Sequence, residues 1–168
     1  MEFAIRKALP EDAYDRSACH VSSWRSAYKG IVPDEYLNDL SVEKGAEKFR
    51  QTNLNNPDFL YYCATYDNKI IGNLVIGKSR EEDKPDAGEI CGIYLIEEFW
   101  GKGYGKTMMD YAIDKLKCMG YNEIILWVLE ENDRARRFYE KCNFVFDGTK
   151  REIEIGKVLI KIRYVLYL

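Results

Sequence analysis

The stretch that decides the fold is Glu89-Ile90-Cys91-Gly92-Ile93-Tyr94-Leu95-Ile96, followed after three residues by Trp100-Gly101-Lys102-Gly103-Tyr104-Gly105-Lys106. The first run reads as a strand, and from Gly103 to Met119 the period changes to that of a helix, with Met108, Tyr111, Ala112 and Leu116 toward the core. Glycines between a strand and a helix permit positive φ and close approach of a ligand to the backbone. The first helical turn beyond them offers unpaired N–H groups at a positive dipole end, an anion site. Two phosphate loops are excluded by spacing. A P-loop ending at Gly105-Lys106-Thr107 needs glycine where Trp100 stands, and a dinucleotide fingerprint from Gly101 and Gly103 needs glycine where Lys106 stands. On its own the cluster is equally a glycine-rich turn.

Downstream, Glu123 to Leu129 is an unbroken apolar run, the mark of a strand buried on both faces. Asn132-Asp133-Arg134-Ala135-Arg136-Arg137-Phe138-Tyr139-Glu140-Lys141-Cys142 reads as a helix with Asn132 at its N-cap. Asn132, Ala135, Phe138/Tyr139 and Cys142 share one face. Phe144 to Leu168 gives two strands turning at Gly156-Lys157. Upstream, Phe3 to Lys7 alternates like a strand, and Pro10-Glu11-Asp12 opens a helix with Tyr14, Ala18, Val21 and Tyr28 on one stripe. Pro33-Asp34-Glu35 opens a short helix and Ser41-Val42-Glu43-Lys44 the next. Phe59 to Tyr66, a turn at Asp67-Asn68-Lys69, and Ile70 to Ile76 read as a hairpin. Ser79 to Ala87, with five charges before its Pro-Asp turn, is the segment expected to be most mobile. The order is roughly β-α-α-β-β-β-α-β-α-β-β, an α/β (α+β) chain with one mixed sheet and helices on both faces.

The 168 residues set a prior of one domain, and 46% hydrophobic against 32% charged content excludes disordered and collagen-like classes. Lys and Arg number 25 against 28 Asp and Glu, so a nucleic-acid partner has no electrostatic footprint. No apolar run approaches a membrane span, and Met1 to Lys7 lacks a signal-peptide layout. The five cysteines are spread without C-x-x-C spacing and His20 is the one histidine, which argues against a metal site or a histidine-based nucleophile. A reducing, cytoplasmic setting is expected.

The succession of strand, x-x-G-x-G, helix, buried strand and N-x-x-A-x-x-F-Y-E-K-x-x-F resembles the GNAT-superfamily N-acetyltransferases. The match is close over about Gly88 to Phe146, and the order of elements agrees along most of the chain. The resemblance implies one domain over 1–168 and a twisted mixed sheet of six to seven strands, splayed between Glu89–Ile96 and Glu123–Leu129, where acetyl-CoA binds as co-substrate. It implies that the backbone of Ile93, Tyr94 and Leu95 pairs with the pantetheine arm, and that the Leu95 N–H polarises the thioester carbonyl. It also implies that the N–H groups of Gly101, Lys102, Gly103, Tyr104, Gly105 and Lys106 hold the pyrophosphate. Asn132 is expected to bind the pantetheine arm, Tyr139 to act as general acid near the sulfur, and Glu89 as general base. Glu97 and Glu98 are alternatives for the base. Trp24 and Tyr28 are expected to line the acceptor pocket. Trp100 departs from the family's usual Gln or Arg and Asn143 from its usual Gly. The implied activity is acetyl transfer to a primary amine of a small molecule or peptide by direct attack, without metal, by a monomer or homodimer. A non-catalytic acyl-CoA-binding module is the alternative, and an acyl route through Cys91 lacks a histidine to support it.

Overall fold

The structure, a computed structural model, describes residues 2–168. The elements are β1 (Phe3–Lys7), α1 (Ala13–Ala27) after a 3₁₀ turn at Pro10–Asp12, α2 (Asp34–Asn38), α3 (Val42–Lys48), β2 (Phe59–Tyr66), β3 (Lys69–Lys78), β4 (Gly88–Leu95), α4 (Tyr104–Cys118), β5 (Glu123–Leu129), α5 (Asp133–Lys141), β6 (Val145–Glu154) and β7 (Val158–Tyr167). Three helices precede β2, one at each of the three expected starts and one more than the rough order of elements counts. The seven strands form one sheet in the order β1-β2-β3-β4-β5-β7-β6. Every neighbouring pair is antiparallel except β4 and β5, which the crossover through α4 makes parallel.

Local chemistry accounts for the boundaries. Ser41 caps α3 by accepting the Lys44 N–H, and Asn132 caps α5 by accepting that of Ala135. The β2–β3 hairpin turns on two residues, Asp67 and Asn68, both at positive φ (47° and 66°), a tighter turn than the three residues expected. Asn143 takes φ +68° after α5, where asparagine replaces glycine at small penalty.

Met108, Met109, Ala112 and Leu116 of α4 are fully buried against Leu74, Ile76, Ile90, Ile124 and Leu126, each large side chain contributing about 1.5–3 kcal/mol. Leu95 and Ile93 pack into this cluster, while the neighbouring Tyr94 ring meets His20 of α1. Successive strand residues point to opposite faces, so α4 and α1 cover opposite sides of the sheet.

Two expectations are corrected. Tyr14 is 52% exposed although Val21 of the same expected stripe is buried, because the buried face of α1 runs through Ala13, Arg16, Ser17, Cys19, Val21 and Ser23. Arg16 takes this core position because it donates to the Tyr62 carbonyl at 2.6 Å and lies 4.7 Å over the Phe49 ring. The segment 79–87 is not a loose loop. Arg80 pairs with Glu89, Glu81 with Arg151 and the Trp127 indole, Asp83 with Arg163, and Lys84 with Glu123. No helix among the described residues is long and apolar enough to cross a membrane.

Candidate active site

The site begins where two parallel strands part. β4 and β5 are in register only at Gly88–Ile124 and Glu89–Ile125. Immediately beyond, Gly92 faces Val75 and Ile90 faces Ile76, leaving Cys91 as an extra residue, a β-bulge that bends and twists β4. β5 stays paired with β7 as far as Leu129 while β4 runs away from it. The Ile96 N–H bonds to Ile71 on the β3 side at 2.9 Å. Alternation along an antiparallel ladder therefore turns the N–H and C=O groups of Leu95 and Ile93 into the gap. Tyr94 is the exception among the three expected backbone contributors. Its main chain faces β3 opposite Asn73, and only its side chain lines the gap. The Leu95 carbonyl accepts the Trp100 indole N–H at 2.7 Å.

Past β4, Gly101 and Gly103 have φ of +71° and +89°, with open space where a Cβ would stand. A side chain at either is strained. Gly105 needs no such conformation, since it lies within α4, where a Cβ would rest 3.7 Å from the Phe138 ring. The first bond within α4 runs from Thr107 N–H to Gly103, so the preceding N–H groups of Tyr104, Gly105 and Lys106 point out of the helix end. The side chains of Lys102 and Tyr104 turn elsewhere. Lys102 lies over Phe99, and Tyr104 stacks on Phe3 at 4.8 Å. Lys106 pairs with Asp110. Neither Lys102 nor Tyr104 is among the residues lining the cleft beside this loop, unlike Gly101, Gly103, Gly105 and Lys106.

This loop and α5 enclose a cleft of about 670 Å³. Lys106, Arg134, Arg137 and Lys141 line it, with no carboxylate. A second, smaller and less open cavity of about 80 Å³ lies behind it, between α1, β4 and β5, and includes Tyr28, Cys91 and Asn132. Ile93, Tyr94, Leu95, Trp100, Arg134, Ala135 and Tyr139 line both, so the two spaces adjoin along β4, Trp100 and the α5 residues Arg134, Ala135 and Tyr139. Asn132 faces the inner cavity alone, with its Oδ1 occupied by the α5 cap.

Burial, reinforced by Tyr94, pushes the Tyr139 phenol well above its ordinary range, against the pull of Arg134. Tyr139 therefore keeps its proton at neutral pH, as a proton donor must. Burial likewise raises Tyr28. Trp24 does not line the cavity but backs it, edge-on to Tyr28 at 4.8 Å, and its buried indole N–H has no hydrogen-bond partner. Burial pulls His20 down to about 4, so the imidazole is neutral, and pushes Cys91 up to about 12, which leaves a thiol rather than a nucleophilic thiolate.

Glu89 is only 1% exposed, and both of its oxygens are engaged by Arg80: Oε1 with Nη2 at 2.6 Å, Oε2 with Nε at 3.2 Å and with the Arg80 main-chain N–H at 3.1 Å. It lines neither space. Glu97 and Glu98 are exposed and also line neither. No cluster of potential metal ligands exists among the described residues. Sequence reasoning missed the cationic wall of α5. Its signal was there, since Arg134, Arg137 and Lys141 fall at i, i+3 and i+7 on one helical face.

Comparison with known proteins gives the family. The model of the Acetyltransferase (GNAT) family matches residues 21–144. An uncharacterized N-acetyltransferase, YuaI of Bacillus subtilis, is 30% identical over 128 residues, covering 76% of this chain and 72% of that protein. A spermidine N(1)-acetyltransferase of Thermoplasma acidophilum is 28% identical, covering 89% and 92%. The crystal structure of PaiA N-acetyltransferase from Thermoplasma acidophilum in complex with coenzyme A superposes with a TM-score of 0.80 at 25% identity, covering all of both chains. A sheet splayed beside a glycine loop, with this match over most of the sequence, identifies the chain as a member of the GNAT family of acetyl-CoA-dependent N-acetyltransferases.

Proposed function

We propose that residues 1–168 act as one acetyltransferase domain that takes acetyl-CoA in the outer cleft and passes the acetyl group to a primary amine in the inner cavity by direct attack. The observation that carries this reading is that a cation-lined cleft adjoins a smaller inner cavity, with Tyr139 among the residues that line both. The coenzyme A complex of the structurally similar protein supports the donor, and the relative named for spermidine acetylation supports an amine acceptor. Acetyl-CoA supplies an activated acyl thioester. The open main chain at Gly101 and Gly103 and the free N–H groups of Tyr104, Gly105 and Lys106 fit its pyrophosphate.

The Leu95 N–H, turned into the gap, donates to the carbonyl oxygen as negative charge develops there. The neutral amine forms the new C–N bond, and the C–S bond breaks as Tyr139 gives its hydroxyl proton to the departing sulfur. Water carries off the proton lost by the amine nitrogen and restores that of Tyr139. Glu89 serves in this scheme as the anchor of Arg80, not as a base in contact with the acceptor. Tyr28 borders the acceptor, and Trp24 holds Tyr28 in place. The setting proposed for this reaction is reducing and cytoplasmic, where the buried thiols of Cys19, Cys63 and Cys142 act as small core side chains.

The test is a screen of polyamines, amino acids and peptides for acceptor-dependent release of free thiol from acetyl-CoA. Turnover with at least one amine is expected. Coenzyme A binding without turnover by any amine would leave only a binding module.

A further inference from the structure

Arg134 stands in the first turn of α5, on the β5 side of the split, and its guanidinium carbon lies 3.4 Å from the centre of the Trp100 ring on the β4 side. The ring is itself fixed by its bond to the Leu95 carbonyl. The two side chains thus meet across the gap, and both border the cleft and the inner cavity. Arg136, two residues on, spends its donors on the Glu130 carbonyl and the Tyr164 hydroxyl and pairs with Asp133. Among the described residues, Arg134 has no carboxylate partner and no hydrogen-bond acceptor. Burial pulls its pKa below the usual guanidinium value, against the opposing pull of Tyr139 and Glu97. Stacking on an indole engages only the face of a guanidinium, so the planar fork of N–H donors stays free at its edge.

An unpaired fork, fixed on Trp100 beside a cleft whose charged lining is entirely cationic, is arranged for an anionic oxygen ligand. Phosphate fits that fork with two parallel bonds. We propose that Arg134 is a phosphate-binding residue of the donor cleft and that Trp100 is the residue that positions it. This rests on the reading of the cleft as the site of a coenzyme A thioester. The donor carries phosphate in two places, its diphosphate and its 3′-phosphate.

Calorimetric binding to the full chain separates the sources with three probes: coenzyme A, dephospho-coenzyme A and pantetheine. Arg134→Met is expected to weaken coenzyme A about tenfold or more, as loss of a charge-assisted bond should, and to leave pantetheine unchanged. Equal weakening of dephospho-coenzyme A assigns the contact to the diphosphate, and its preservation assigns the contact to the 3′-phosphate. Arg134→Lys should recover only part of the loss, because an ammonium lacks the fork. Trp100→Leu should weaken coenzyme A in the wild type but add little once Arg134→Met is present. Unchanged affinity for coenzyme A in Arg134→Met, or an equal loss with pantetheine, overturns the phosphate assignment. Additive losses in the double variant overturn the positioning role of Trp100. A wild-type protein that binds no coenzyme A overturns the functional reading itself, a result distinct from either.

Discussion

Segments 79–87 and 100–106 are both polar connections, one entering β4 and the other leaving it, and they use their charges in opposite ways. In the first, Arg80, Glu81, Asp83 and Lys84 are each matched by a partner on β4, β5, β6 or β7, so the loop is tied down onto the sheet. In the second, the main chain is opened by Gly101 and Gly103 and its N–H groups face a cleft lined by four cations and no carboxylate, of which Lys106 is paired outside the lining with Asp110. Charge satisfied within the molecule marks structure, and donors left unmatched around a concavity mark a site. The contrast can be broken from either side.

The largest effect is expected in the open loop. Gly103→Val meets no atom within 4 Å but forces a β-branched residue to φ near +89°, a strain of roughly 1–3 kcal/mol. The fold is expected to persist while the N–H cradle shifts and coenzyme A affinity falls by ~10²-fold or more, the loss of about two charge-assisted bonds. Calorimetry on the folded variant checks this, and normal binding would sink the cradle.

In the tied loop the effect moves to stability. Arg163 is 3% exposed and bridges Asp83 and Asp147. Arg163→Met should cost about 2–3 kcal/mol, below the usual figure for breaking a buried pair because Asp83 is half exposed. Hydrogen bonding to Arg163 holds the Asp83 carboxyl below the ordinary range. Burial opposes this at Asp147, where Thr149 and Arg163 nonetheless hold the carboxyl low. Folded-state pKa values below the unfolded ones mean stability present above about pH 4 and lost as pH falls through the folded values. Thermal melts against pH should therefore show a shallower acid decline in the variant, with coenzyme A affinity unchanged.

A smaller loss is expected for Glu89→Gln, about 1–2 kcal/mol from the weakened bond to Arg80. The rise of kcat/KM with pH, set by the acceptor amine, should survive it. Disappearance of an acid limb would restore Glu89 as the base.

What the sequence disclosed follows the same division. The β4–α4–β5–α5 succession was legible because its signals are local: glycine positions, an apolar run, a capping Asn132 and helical spacing up to Tyr139. The bulge at Cys91 was not, because it exists only in register with β3. The tying of 79–87 was not, because Arg151 and Arg163 lie some seventy to eighty positions away. The inward turn of Arg16 was hidden for a similar reason, since its acceptor is the main chain of Tyr62.

Single-turnover acetyl transfer by Tyr139→Phe, measured beside its coenzyme A affinity, tests the central claim most directly. Affinity should stay within a few-fold, while transfer slows ~10²–10⁴-fold for want of the proton donor. Because burial raises the phenol's pKa, wild-type transfer should not decline as pH climbs toward 10, the ordinary value of a tyrosine. An unchanged transfer rate in Tyr139→Phe, with chemistry limiting, would contradict the mechanism and leave Tyr139 a packing residue between the two cavities.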